Sequence, residues 1–168
     1  MLETCGEAER HRVLEFRSNG ESAIRLLGPA TCDSGIQLHP TGVRMTVKPS
    51  RLSYAETIST LEQRITDGGS TIFASIDQAA AAASVQMTLR PTTLLVFGNP
   101  KGGTPLMEAF PLFALELPLK LLIWEESGKV CVGYTPLAQI ATRYEVTGMD
   151  ERISVIDRQL DAITNSVI

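Results

Sequence analysis

The run of residues 92–97 constrains the fold of this chain more than any other segment. Its six residues are β-branched, aliphatic or aromatic, and Pro91 and Gly98 bound it on either side. A short apolar run with such boundaries predicts a strand buried on both faces inside a sheet, because a helix of ordinary length needs more residues. The rest of the chain must therefore supply neighbouring strands and an apolar layer that covers them.

Further strand patterns surround this run. Val43, Met45 and Val47 alternate with polar residues, which predicts a strand with one face in water. Three other segments also favour strands by composition, and the last two are predicted to form a hairpin: residues 70–76, 119–125 and 129–134.

Helix signals separate these strands at irregular intervals. Ser53 and Glu56 have the spacing of a capping box, and Gly68 supplies the stop for the helix that this box begins. Three more helix starts are predicted by a capping residue or an early proline: Asp77, Thr104 with Pro105, and Pro136. A last helix is predicted over residues 150–165 by its apolar stripe of Ile153, Ile156, Leu160 and Ile163. Strands broken by helices at irregular positions indicate an α+β fold, because a doubly wound sheet would alternate regularly.

Three segments, taken in order and with their spacing, give the chain a family resemblance: LRPT at residues 89–92, VFGNPKGGTPLM at 96–107 and LPLK at 117–120. Together they resemble the domain-of-unknown-function family 302, which occurs mostly in bacteria and archaea. The resemblance covers about residues 42–142. It implies a two-layer sandwich, with helices on one face of a mainly antiparallel sheet and a topology like that of the TATA-binding protein. The family has no established reaction, so the resemblance implies no particular activity.

The domain organisation follows from the extent of this resemblance. Residues 1–40 lie outside it and are interpreted as an N-terminal appendage. Asn19 followed by Gly20 is typical of a tight hairpin turn, although the flanking residues also fit helices or partial disorder. The family-like domain is predicted over residues 41–145, and a C-terminal helix over residues 146–168.

Composition and charge exclude several classes of partner. The formal net charge is −4, the isoelectric point is near 5.2, and the basic residues are scattered. Such a chain repels a phosphate backbone, so no nucleic-acid partner is expected. The first ten residues contain no signal-peptide core, and the longest apolar run, residues 121–124, is too short to cross a membrane. A cytoplasmic protein without a membrane partner is therefore expected.

The residues of common catalytic and metal sites are sparse. Cys5, Cys32 and Cys131 lack the close spacing of a zinc site. His11 and His39 both lie outside the family-like domain, so that domain cannot assemble a Ser-His-Asp or Cys-His set. No catalytic residue, metal ligand or identifiable cofactor is predicted.

The glycine-rich residues 98–104 are the leading candidate for ligand binding. The loop joins a buried strand to a helix, so its backbone amides, the positive end of the helix and Lys101 together predict a site for a small anion. The lysine precedes the glycines, which is not the order of a Walker phosphate loop. The alternative is that the glycines and the Asn-Pro pair only build a tight turn. Six consecutive residues carry the prediction: Asn99, Pro100, Lys101, Gly102, Gly103 and Thr104.

Two residues outside the loop complete the predicted ligand site. Asp77 can accept a hydrogen bond or help to hold a cation, and its alternative role is to cap a helix. Many relatives have Asp-His where this chain has Asp77 and Gln78, and glutamine neither titrates nor binds metals well. Trp124, the single tryptophan, fits either the core or an aromatic anchor in a ligand pocket or dimer interface.

Two functional hypotheses follow. The first is a non-catalytic binding module, acting as a homodimer, that holds a small anionic molecule or a protein partner. The second is an enzyme acting on an anionic metabolite, in which Lys101 and the loop bind the charge and Asp77 or Glu108 transfers protons. A structural subunit of a larger complex is a third interpretation.

Overall fold

The computed structural model of the protein describes the backbone of residues 35–38 and the whole of residues 44–168. The predicted hairpin near Asn19 lies outside the described residues. Within the predicted N-terminal appendage, Gly35–Leu38 forms a strand that pairs antiparallel with the next strand along the chain. The boundary at residue 40 stays a prediction.

The described strands form one six-stranded sheet in the order β1-β2-β6-β5-β4-β3. Every neighbouring pair in this sheet is antiparallel. The antiparallel sheet of the predicted α+β fold is therefore confirmed. The strands are β1 (Gly35–Leu38), β2 (Arg44–Pro49), β3 (Thr71–Asp77), β4 (Thr92–Gly98), β5 (Leu119–Glu126) and β6 (Lys129–Tyr134).

Five α-helices and a short 3₁₀ helix are described in the same residues. The helix that begins after Ser53 has the predicted capping box, with the hydroxyl of Ser53 and the carboxylate of Glu56 each accepting a backbone hydrogen bond. The helices are α1 (Tyr54–Asp67), α2 (Gln78–Ser84), α3 (Pro100–Ala109), α4 (Leu137–Arg143) and α5 (Asp150–Asn165), and the 3₁₀ helix is Pro111–Leu115.

The main core lies between the sheet and a layer made by α1 and α5. Leu61 and Ile65 of α1 and Leu160 of α5 pack against the inner faces of β4, β5 and β6. The sheet residues of this cluster alternate along their strands, as the period of two requires: Leu95, Phe97, Leu121, Ile123, Val130, Val132 and Tyr134. This arrangement confirms the predicted two-layer sandwich with helices on one face.

A second apolar cluster joins α3, α4, α5 and the 3₁₀ helix. Leu106, Phe113, Leu137 and Ile153 are buried within it. The ring of Phe113 meets that of Tyr144 edge to face, with centroids 5.6 Å apart and an interplanar angle of 81°. Because α3 packs into this cluster, its N-terminal end is held beside β3, β4 and the start of β5.

Two local predictions need correction. The helix α3 begins at Pro100 and is capped by Asn99, so Thr104 and Pro105 lie inside it and do not begin it. Both pairs place a capping side chain before proline, which is why the sequence pattern alone does not separate them. The second correction concerns the run 92–97, which was predicted to be buried on both faces of the sheet. This run forms β4, which is second from the edge of the sheet and alternates between fully buried residues such as Leu95 and half-buried ones such as Leu94.

Trp124 lies on the face of the sheet opposite to α1 and α5. It is buried with Val47 and Cys131, which belong to neighbouring strands of the sheet. A Cβ atom added to Gly133 would lie only 3.0 Å from Cζ3 of this indole ring. The glycine therefore allows the ring to lie against the β6 backbone.

Candidate functional site

The predicted loop is organised by Asn99, the residue that links β4 to α3. Its side-chain Oδ1 accepts a hydrogen bond from the backbone N–H of Lys101 at 2.9 Å. Its backbone carbonyl accepts from the N–H groups of Gly102 at 2.9 Å and Gly103 at 3.0 Å. The N–H groups of Lys101 and Gly102 are two of the backbone donors that a helix N-terminus leaves without helical partners, whereas the bond from Gly103 is the first regular bond of α3.

This geometry changes what the loop offers to an anion. The sequence predicted several free backbone amides here, but those of Lys101, Gly102 and Gly103 are already hydrogen-bonded to Asn99. An anion seated on them would have to replace bonds that each contribute about 1 kcal/mol. The loop is therefore a capped helix start that leaves these three amides no spare hydrogen for a ligand.

The side chain of Asn99 also reaches a second turn. Its Nδ2 donates a hydrogen bond to the backbone carbonyl of Gly69, with the two atoms 3.0 Å apart. Gly69 follows the end of α1 and has a φ of +74°, a conformation that favours glycine. The turn from α1 into β3 is thus held against the start of α3.

A cavity of about 190 Å³ opens between these two turns. Most of its wall is apolar, and none of the residues that line it is charged. The side chains of Ser70, Asn99, Thr104 and Gln159 supply its polar groups. The apolar part of the wall comes from β3, α3, α5 and the segment leading into β5: Phe73, Met107, Leu117, Pro118, Leu119 and Ile156.

Five of the predicted site residues line this cavity, namely Asn99, Pro100, Gly102, Gly103 and Thr104. Lys101 is exposed and is not part of the lining. Its backbone carbonyl accepts a hydrogen bond from Nη1 of Arg152 at 3.3 Å. The loop therefore contributes backbone, amide and hydroxyl groups to the cavity, and its lysine belongs to the surrounding surface.

The remaining predicted residues have other positions. Asp77 caps α2, accepting a hydrogen bond on Oδ1 from the N–H of Ala80 at 2.8 Å. Trp124 packs in the cluster on the other face of the sheet, and Glu108 is exposed on α3. None of the three lines the cavity. The carboxylate pair considered for proton transfer therefore has no member at this site.

Sequence reasoning missed most of the apolar wall. Phe73, Met107 and Gln159 come from three separate elements, and no local pattern connects them. Two signals were present, because Met107 and residues 117–119 belong to segments of the family resemblance and Ile156 lies on the apolar stripe of α5. These signals marked the residues as structural, and only the fold brings them to one cavity.

Side chains that are far apart in the sequence form a polar cluster that joins β2 to α5. Nζ of Lys48 donates to Oδ1 of Asp161 at 2.5 Å, to Oγ1 of Thr164 at 2.9 Å and to Oδ1 of Asn165 at 2.7 Å. The hydrogen bond from Lys48 lowers the pKa of Asp161. Burial raises the pKa of Tyr134 beside them, and the negative charge of Asp161 adds to this rise. The cluster is saturated by its own bonds and fastens the helix layer to the sheet.

The part of the chain that the structure describes has neither a cluster of metal-ligating side chains nor a membrane-crossing helix. There, no group of three or more histidine, cysteine, aspartate or glutamate side chains comes together to hold a metal ion. In those same residues, no helix has both the length and the apolar character needed to cross a membrane.

The fold and the site define a small α+β domain with an antiparallel sheet, helices on one face and an uncharged cavity at one end of α3. A family model described as "Domain of unknown function DUF302" matches residues 45–167. The chain belongs to this family. The match extends beyond the resemblance seen in the sequence and includes α5.

Comparison with curated proteins finds relatives named as ion channels. The chain is 36% identical over 107 residues to "Fluoride-specific ion channel FluC 1" of Brucella suis biovar 1 (strain 1330) and to the protein of the same name of Brucella abortus biovar 1 (strain 9-941). The matched segment covers 63% of this chain and 42% and 39% of those proteins, respectively. The chain therefore spans about two-fifths of the length of these curated relatives.

A solved structure shares the fold. The crystal structure of an uncharacterized conserved DUF302 protein from Bacillus stearothermophilus superimposes with a TM-score of 0.69 and 18% sequence identity. The match covers 74% of this chain and 98% of the other. At this identity the likeness establishes the architecture alone.

Proposed function

We propose that this protein is a non-catalytic binding module that holds a small, uncharged and largely apolar molecule in the cavity between Asn99 and Phe73. The observation that carries the proposal is the cavity wall, which is apolar over most of its area and has a few polar groups. Small-molecule sites commonly combine an apolar lining with a small number of polar groups that fix the orientation of the ligand.

The volume of the cavity supports a ligand of about one ring. An apolar protein cavity of about 150 Å³ accommodates benzene. The cavity here, at about 190 Å³, has room for a ring with a small substituent or for a short alkyl chain. The cavity is not enclosed, and Phe73 in its wall is 56% exposed. A somewhat longer ligand can therefore extend outward past this ring.

The polar groups favour a ligand with one hydrogen-bonding end. Ser70 and Gln159 stand in the lining together with Thr104. A hydroxyl or an amide can either donate or accept a hydrogen bond, so these side chains suit an alcohol, a carbonyl or a ring N–H equally. They supply no net charge to balance a carboxylate or a phosphate.

The anionic ligand expected from the sequence has weaker support for the same reason. Lys101 does not line the cavity, and the neighbouring backbone amides are bonded to Asn99. Moving an anion into an apolar space without a counter-charge is costly. The same cost applies to fluoride, which is considered because the curated relatives are named as fluoride-specific ion channels.

The relatives suggest where such a module operates. Because the matched segment is about two-fifths of proteins named as channels, we propose that it accompanies their channel-forming part and does not form it. In that setting, occupation of the cavity would report the presence of a small molecule to a neighbouring part of the protein.

A ligand titration with a cavity-filling variant tests the proposal. Gly102→Leu places a side chain in the cavity, because a Cβ at this position has 3.8 Å to the nearest atom of Ile156 and larger groups must enter the open space. Indole, benzyl alcohol and fluoride serve as probes, and binding is followed by calorimetry and by the shift of the unfolding temperature. Lys101→Ala is the matched control in the same turn.

We expect the two aromatic probes to bind the natural chain and the Lys101→Ala variant and to lose at least about tenfold in affinity for Gly102→Leu. Circular dichroism of each variant checks that the fold persists. Equal binding of aromatic probes to Gly102→Leu would move the ligand elsewhere. Binding of fluoride that depends on Lys101 would replace this proposal with an anion site.

A further inference from the structure

The apolar side chains that the fold leaves exposed are concentrated at one edge. Eight large apolar side chains are exposed among the described residues, and five of them fall between residues 73 and 89. We call these five the edge surface: Phe73, Ile76, Val85, Met87 and Leu89. Val85 and Met87 are 65% and 66% exposed. Single exposed apolar residues need no explanation, whereas a concentration of them is where an interaction surface is to be sought.

The edge surface borders a strand with one free side. β3 is the last strand in the order of the sheet and pairs only with β4 among the described strands. An unpaired edge invites association unless it carries charges, prolines or a bulge. β3 has a register shift between Ile72 and Ala74, which interrupts a long ladder, but it carries neither lysine nor proline.

The helix that follows β3 is equally uncovered. None of the residues of α2 is buried, although the helix consists mainly of alanine. A helix of only seven residues is marginal in water, and only Gln78, Ala79 and Ala82 of α2 are half-buried, so its other four side chains face solvent. Its small side chains allow another backbone to approach closely, so α2 and the edge surface together form a shallow apolar face.

The charges of this segment decide which kind of partner fits. From Gly68 to Leu89 the chain has a single charged residue, Asp77, and its carboxylate already caps α2. A strongly charged partner would find no complementary group here. A twofold interface brings the same surface of both copies together, so like charges on it would face each other. Here the only such charge in the segment is the Asp77 carboxylate, which already bonds to α2.

We propose that two copies of this chain associate through β3, α2 and the edge surface. The five edge side chains together expose on the order of 400 Å², which a monomer can also show. A stable interface needs about 800 Å² from each partner, so α2 must contribute alongside them. The register shift in β3 would interrupt a continuous ladder of backbone hydrogen bonds between the two sheets. The contact is therefore expected to be made mainly by side chains.

Association of this kind also bears on the cavity. Phe73 belongs both to the edge surface and to the cavity wall. A partner packed on its exposed ring would restrain this part of the cavity wall, so ligand binding and association are expected to influence one another. This coupling rests on the proposed ligand site, whereas the association itself does not.

The test compares two double variants with the natural chain by sedimentation equilibrium. Val85→Glu with Met87→Glu introduces charges into the edge surface. Leu112→Glu with Leu115→Glu is the matched control, since these residues are 70% and 74% exposed and lie outside that surface. Circular dichroism and urea unfolding show whether each variant retains its fold.

We expect a dimer for the natural chain and for the control, with the dissociation constant of the Val85→Glu and Met87→Glu variant raised by about a hundredfold or more. A natural chain that stays monomeric throughout the micromolar range would overturn the proposal. So would a dimer that survives the edge variant or dissociates in the control. Loss of the dimer with unchanged indole binding would retain the interface and reject only the coupling to the cavity.

Discussion

Asn99 joins the start of α3 to the turn after α1 through Gly69. Its Nδ2 donates to the carbonyl of Gly69 at 3.0 Å, while its Oδ1 accepts from the N–H of Lys101 at 2.9 Å. Ser70, the next residue along from Gly69, lines the cavity, as does Asn99 itself. One amide side chain therefore fixes the separation of two walls of the candidate site.

Removing this side chain should both destabilise the protein and loosen the cavity. For Asn99→Ala, the lost cap and the lost bond to Gly69 predict a decrease of about 1–2 kcal/mol in the free energy of unfolding. Asn99→Asp also loses the donor to Gly69, but it keeps an acceptor for the N–H of Lys101 and places a negative charge at the positive end of the helix, so it should lose less stability than Asn99→Ala. Urea unfolding of the three proteins measures the order.

Two other orders of stability among these proteins would contradict the roles given to Asn99. If Asn99→Ala and Asn99→Asp lose the same stability, the bond to Gly69 carries the whole effect and the helix cap carries none. If neither loses stability, the turn and the helix are held by their packing alone. Indole affinity measured on the same samples then shows whether the cavity depends on this bond.

The bond between Lys48 and Asp161 predicts a particular dependence of stability on pH. The side chain of Lys48 is 14% exposed and that of Asp161 is 56% exposed, so water screens the pair and Lys48→Met should cost only about 1 kcal/mol at neutral pH. The pKa of Asp161 in the folded protein is lowered from its ordinary value of 3.8. Its contribution is therefore present above that value and is lost as the pH falls through the lower, folded pKa.

The difference in unfolding free energy between the natural chain and Lys48→Met should thus shrink as the solution is acidified below the ordinary pKa of Asp161. Urea unfolding in a series of acidic buffers measures it. Lys120→Met is the control, because the ammonium of Lys120 bonds only to the backbone carbonyls of Glu116 and Pro118 in the described structure. If the difference in unfolding free energy between the natural chain and Lys48→Met did not depend on pH, the lowered pKa of Asp161 could not be attributed to its hydrogen bond with Lys48.

Two glycines with different surroundings should respond oppositely to alanine. At Gly133 a Cβ would lie 3.0 Å from the ring of Trp124, so Gly133→Ala should cost about 1–3 kcal/mol and change the tryptophan fluorescence. At Gly102 the nearest atom, on Ile156, is 3.8 Å away. Gly102→Ala lies within α3 and should leave stability unchanged or raise it by up to about 1 kcal/mol.

Thermal unfolding and the emission spectrum of the single tryptophan measure both effects. An unchanged unfolding temperature in Gly133→Ala would show that the added methyl group is accommodated without cost, and an unchanged emission maximum would show that the indole ring keeps its surroundings. A loss of stability in Gly102→Ala would mean that the start of α3 has less space than the distances to Ile156 imply.

Local sequence predicted the elements whose determinants are neighbours in the chain. The capping box of Ser53 and Glu56 needs contacts only within one helical turn, and the helix Asp150–Asn165 shows its whole apolar stripe in sequence. The start of α3 was misplaced because Asn99 with Pro100 and Thr104 with Pro105 carry the same local pattern. Packing of Leu106 into the helical cluster helps to place the whole turn within the helix, and packing is not written in that pattern.

Only the part of the candidate site whose residues are contiguous in the chain could be predicted from the sequence. Residues 99–104 are predicted as one contiguous candidate, since glycine and proline mark breaks in regular structure, although the structure places Pro100 to Thr104 in α3 and not in a loop. The chemistry expected of it was wrong at three amides, because the side chain and carbonyl of Asn99 occupy them. Phe73 and Gln159 reach the cavity only through the order of the strands and the placement of α5.

Asp157 provides the sharpest test of a contact that sequence does not reveal. Its Oδ1 accepts from the N–H of Leu137 at 2.6 Å and its Oδ2 from that of Ala138 at 3.0 Å, so a residue of α5 caps α4, whose own preceding residue, Pro136, provides no side-chain cap. Asp157→Ala should lower the free energy of unfolding by about 1.5–3 kcal/mol, the range for hydrogen bonds to a charged group.

Asp157→Asn retains one acceptor oxygen and should lose an intermediate amount of stability. Asp150→Ala removes a carboxylate from the first turn of the same helix, where it interacts only with the helix dipole, and should cost a few tenths of a kcal/mol. Urea unfolding ranks the three variants. If Asp157→Ala were no more destabilising than Asp150→Ala, the two short bonds to α4 would add nothing beyond a surface charge, and the docking of α4 on α5 would rest on the apolar contacts of Leu137 and Ile153.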